Sequence, residues 1–130
     1  MTARRVAAAA VLLAGVIHLL PLLGVIGAER LRTLYGVDLS DGNLLVLMRH
    51  RAVLFGLLGS LLVLAAFRPG LMPLAIAGGG VSAASFLVFA LLEGGLNDAM
   101  HRVLAADIAA LVCLAVAAAA LWSSPSAAVR

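Results

Sequence analysis

Four residues of this chain offer chemistry where their surroundings would normally forbid it: His18, Arg49, Glu93 and Asp107, each set in or beside a long apolar run. An ionised side chain at the centre of a bilayer helix costs about 2.5 to 3.5 kcal/mol on insertion scales, so such groups turn inward and pair. An imidazole, a guanidinium and two carboxylates gathered there could hold a polar headgroup, relay a proton or close a salt bridge. The pattern contains no nucleophile elbow, no triad spacing and no HExxH, so no catalytic residue is assigned and the reading leans away from an enzyme. His18, Glu93, His101 and Asp107 could converge on a metal. However, no His-x3-His or Glu-x-x-His pair puts two ligands on one helix face, and no metal is expected. Gly78, Gly79 and Gly80 follow no strand and precede no Lys or Ser-Thr pair, which excludes a phosphate loop. Cys113 is the sole cysteine, so neither an intrachain disulfide nor a Cys-based cluster can form, and no cofactor is expected.

The elements that must position these groups follow from composition. Of 130 residues 65% are hydrophobic and 12% charged, with a mean hydropathy of +1.19; a water-soluble globule is excluded. All nine basic residues are arginines beside apolar spans, which reads as bilayer anchoring and not as a nucleic-acid surface. A bilayer crossing needs about 20 residues. Four runs qualify, predicting transmembrane helices at about 6–27, 43–67, 71–92 and 102–122 in one domain over 1–130. Ser40 or Asp41 would cap the second, and Arg68-Pro69-Gly70 would end it. The first run could also be a cleaved leader, but its length, His18 and Pro21 favour a retained, kinked span. In the loop from Ala28 to Gly42, Leu31, Leu34 and Tyr35 recur at helical spacing, predicting a short interfacial helix ended by Gly36. The remaining loops are short, which forces antiparallel neighbours. The fold class is therefore all-α, an integral membrane four-helix up-down-up-down bundle.

With that topology all six acids, together with His50 and His101, fall at one end, and the other end carries arginines only. Counting helical rise puts His18 roughly 18 Å into the bilayer and Asp107 ~8 Å below the polar side. Arg49 shares a face with the small-residue ladder Ala52, Gly56 and Ser60, so Arg49 is expected to turn inward toward Asp107 while Arg51 stays at the interface. The structural alternatives are that Arg51 and Arg102 snorkel, that His18 bonds a carbonyl freed by Pro21, and that Asp98 is the N-cap of the fourth span, paired with Arg102. Arginine counts on the two sides are nearly equal, with a lean toward cytoplasmic termini.

Two functional readings result. In the first, His18, Arg49, Glu93 and Asp107 line a one-sided pocket for a small amphipathic ligand such as a lipid or quinone. In the second, Ala52, Gly56, Ser60 and Gly79 form packing faces for a homo-oligomer or another membrane protein. A proton path through His18 and Asp107 lacks polar continuation beyond Ser60, Ser82 and Ser85.

The stretch His18-Leu-Leu-Pro-Leu-Leu-Gly24, with Ala28-Glu-Arg-Leu-Arg-Thr-Leu-Tyr-Gly-Val37 and Leu47-Met-Arg-His-Arg-Ala-Val-Leu-Phe-Gly56, resembles small bacterial four-span proteins that are broadly DoxX-like. The resemblance covers nearly the whole chain and implies an inner-membrane four-helix bundle, some members being linked to redox or thiosulfate metabolism. It brings no agreed catalytic residues. Proteins of this appearance sometimes carry the label phosphopantetheine adenylyltransferase, which the residues do not support. That class is a soluble α/β nucleotidyltransferase with a His-x-Gly-His motif, and no two of His18, His50 and His101 have that spacing.

Overall fold

The computed structural model describes residues 2–123, which are all-α; Arg130, one of the nine arginines, lies outside them. Five helices run α1 Thr2–Leu19, α2 Ala28–Tyr35, α3 Gly42–Phe67, α4 Met72–Glu93 and α5 Asp98–Trp122, with 3-10 segments at Leu20–Ile26 and Pro69–Leu71. The segments Ala3–Ile26, Gly42–Phe67, Pro69–Glu93 and Asp98–Trp122 are each long and apolar enough to cross a bilayer. The chain is a multi-pass membrane protein.

Local chemistry sets the helix ends. Asp41 caps α3, its carboxylate accepting from the Asn43 N–H at 2.8 Å, and Gly36, at φ 63°, closes α2 with its N–H donating to the Arg32 carbonyl. The cap of α5 is Asn97 and not Asp98, because the Asn97 Oδ1 accepts from the Met100 N–H at 2.8 Å. That helix consequently starts four residues before the expected 102. Pro21 brings no N–H, and the chain tightens into a 3-10 helix from Leu20. At about 2.0 Å per residue against 1.5 Å, these last seven residues climb roughly 14 Å where an α-helix would climb ~10 Å.

Around the bundle α1 lies between α3 and α5 and diagonal to α4, so every neighbouring pair is antiparallel. The closest approach is α1 on α3, where Gly15 faces Val63, Leu19 faces Gly59 and Leu22 faces Gly56. A Cβ at Gly15 would stand 2.9 Å from the Val63 backbone nitrogen, so only glycine allows this crossing. Exposed Ile26, Phe67, Val81, Leu91, Leu92 and Trp122 give the outer surface its apolar character. Inside, one apolar core (Val11, Leu62, Met72, Leu114 among others) fills the end where α1 begins. A second, Leu31, Tyr35 and Leu39, lies under α2 at the opposite end.

Candidate functional site

Between the two cores lies a layer of ionisable groups. His18 is 1% exposed and Asp107 5%, the only buried polar or charged residues among those described. The His18 Nδ1 lies 2.9 Å from the Ala14 carbonyl. A carbonyl only accepts, so Nδ1 carries a proton. The bonded carbonyl belongs to the preceding turn of α1 and is not the one Pro21 leaves free, since that proline would have reached Ile17. The ring stacks on Phe55 with centroids 5.8 Å apart. Neither the His18 Nε2 nor the Asp107 Oδ2 has a hydrogen-bond partner. Buried polar atoms in this state call for a partner such as water or a hydroxyl. Asp107 lies within Coulombic reach of both His18 and Arg51.

Arg51 is the centre of the layer. Its guanidinium carbon stands 5.1 Å from the Tyr35 ring centroid, 4.9 Å from Phe55 and 5.7 Å from Phe86, so α2, α3 and α4 each contribute one aromatic face. These are the only tyrosine and two of the four phenylalanines. Beside it opens a cavity of about 220 Å³, walled by Ile17, Leu20, Pro21, Leu34, Phe55, Val103 and Ala106, with Thr33, Tyr35, Arg51, Arg102 and Asp107 as its polar groups. The Asn97 side-chain amide ties the roof to α5, its Nδ2 donating to the carbonyls of Tyr35 at 3.0 Å and Gly36 at 3.1 Å. Burial pushes the Tyr35 phenol up; the Arg51 guanidinium pulls it down and the Asp107 carboxylate pushes it up again. Outside the cavity the Ser40 hydroxyl and N–H donate to Asp38 and hold its carboxyl below the usual range, with Arg32 3.9 Å away adding to the effect.

Of the four residues singled out from sequence, the structure brings His18 and Asp107 together and leaves Arg49 and Glu93 outside. The Arg49 side chain is exposed and its Nε donates to the Val25 carbonyl at 3.1 Å. The small-residue face of α3 does carry Arg49, but that face meets α1 and its 3-10 extension, whereas Arg51, Phe55 and Leu62 point to the bundle axis. The arginine turned inward is therefore Arg51 and not Arg49, and among the described residues it makes no ion pair with Asp107 within 4.0 Å. Glu93 ends α4 exposed. Asp107 lies nine residues into α5, ~13 Å along the helix from its start at Asp98. The sequence reading missed Arg51, Tyr35 and Phe55 as a group, although Arg51 and Phe55 stand at i, i+4 and signal one helix face.

Among the packing residues, Ala52, Gly56 and Gly79 are buried within the chain, Gly56 against Leu22 and Gly79 against Leu114 and Leu62. Ser60 is exposed, its hydroxyl donating to the Gly56 carbonyl at 2.7 Å, and its place on the close face is taken by Gly59. Among the described residues no three His, Cys, Asp or Glu side chains gather closely enough to hold a metal ion. No family model, no curated protein and no solved structure matches the chain.

Proposed function

We propose that this membrane protein binds a small amphipathic molecule, of the class of a lipid fragment or quinone, in the cavity beside Arg51. The observation that carries the reading is the division of the cavity wall: its area is mainly hydrocarbon and aromatic, while two guanidiniums, a phenol, a hydroxyl and a carboxylate supply its polar groups. Sites for small molecules have this build, with apolar walls giving affinity and a few placed polar groups giving orientation. Ionisable groups are costly at this depth, and their concentration in one layer is what a binding site would require. In keeping with the DoxX-like resemblance, we place the protein in a bacterial inner membrane and, on the lean of the arginine counts, with both termini cytoplasmic, so that the cavity end faces away from the cytoplasm.

The test is native mass spectrometry of the protein released from lipid nanodiscs, on wild type and on Ala106→Phe. Ala106 lines the cavity, and a phenyl ring there takes up its space without removing any charged group. A small molecule retained by wild type and lost from a helical, folded Ala106→Phe supports the site. A wild type that retains none, or one that the variant retains equally, overturns it.

A further inference from the structure

Resting on that cavity reading, we infer that the ligand is a single-chain amphiphile whose head carries one negative charge. The cavity wall holds the Arg51 and Arg102 guanidiniums against the single carboxylate of Asp107, and His18, stacked behind Phe55, is not part of that wall. Among the described residues the ion pairs within 4.0 Å are those of Arg32 with Glu29 and Asp38, so neither cavity arginine has a carboxylate at contact distance. The wall thus carries one more cation than anion, with Arg51 half-buried and Arg102 exposed. A monoanionic head brings the lining to neutrality.

The geometry of Arg51 points the same way. Aromatic rings from three helices surround the guanidinium and fix its position, and beyond the Tyr35 phenol beside it its N–H donors have no carboxylate within 4.0 Å among the described residues, which suits a planar acceptor such as a carboxylate. Arg102, exposed at the first turn of α5 and lining the same cavity, supplies the second cation. The volume of about 220 Å³ has room for a head and a short length of one chain.

Titration calorimetry of the protein in zwitterionic-lipid nanodiscs, corrected by empty nanodiscs, separates the possibilities with three probes: octanoate, octanol and acetate. Octanoate is expected to bind at least roughly tenfold more tightly than octanol, the scale of one charge-assisted hydrogen bond. Arg51→Gln should remove that preference while octanol binding stays, and Arg102→Gln, at an exposed position that leaves the fold intact, should lower it. Arg30→Gln, the same loss of charge on the outer face of α2, should change nothing. Equal binding of octanoate and octanol, or an equal loss in Arg30→Gln, overturns the charge assignment and leaves the cavity reading standing. Failure of both to bind, or acetate binding as tightly as octanoate, overturns the cavity reading itself.

Discussion

At the scale of single residues, Tyr35 offers a direct view of the polar layer because it is the only tyrosine in the chain. Burial favours the neutral phenol, so its titration followed by phenolate absorbance should have a midpoint above the ordinary value of about 10. A group whose folded value is raised adds stability below its unfolded value and loses it as pH rises through the folded one. The packing of α2 on the bundle is thus expected to hold at neutral pH and to loosen above pH ~10. The neighbours give the signs: Arg51→Gln should move the midpoint further up, and Asp107→Asn should move it down. A midpoint indifferent to both variants would mean that the three groups do not share one environment. Asp38 behaves oppositely. Its lowered value means that the Ser40 and Arg32 contacts are present at neutral pH and are lost as pH falls through the folded value.

At the scale of elements, the α1–α3 crossing is the joint on which the site depends, since it brings His18 onto Phe55. Gly15→Ala puts a methyl 2.9 Å from the backbone of Val63 and is expected to destabilise the bundle by roughly 1 to 3 kcal/mol, the usual cost of overpacking. Gly80→Ala meets nothing within 4 Å and should be neutral or stabilising through helix propensity. Thermal unfolding in detergent compares the two, and equal melting would refute the tight crossing. The same joint marks how far the sequence could be read. Hydropathy and caps announce the four spans and α2, because apolar length and a glycine stop are local signals. The facing of a helix is not local. The ladder Ala52 and Gly56 correctly marks a close approach, yet nothing in α3 alone says whether that approach is to α1 or to the bundle axis, and Arg49 and Arg51 are separated by that distinction. The burial of His18 and Asp107 was legible from the cost of charge in hydrocarbon. The aromatic surround of Arg51 was not, since its three rings come from three helices.

At the scale of the whole molecule, the ionisable layer, the acids and the longer loops share one end, and arginines hold the other. On a Cys113→Ser background, Ser40→Cys and Arg68→Cys should react with a membrane-impermeant maleimide from opposite faces of sealed vesicles, whichever way the protein is inserted. Reaction of both from one face would overturn the four-span topology. The contact order of the helices has a further consequence in time. The cavity is bounded by α1, α2 and α3 on one side and by α5 on the other, and α5 is synthesised after those three. Until it is threaded in, Arg51 has its aromatic surround but lacks the carboxylate of Asp107 within reach, and the crossing of Gly15 on Val63 has no second flank. The site therefore forms only once α5 is in place, and a chain interrupted before α5 would lack the wall that carries both Asp107 and Arg102.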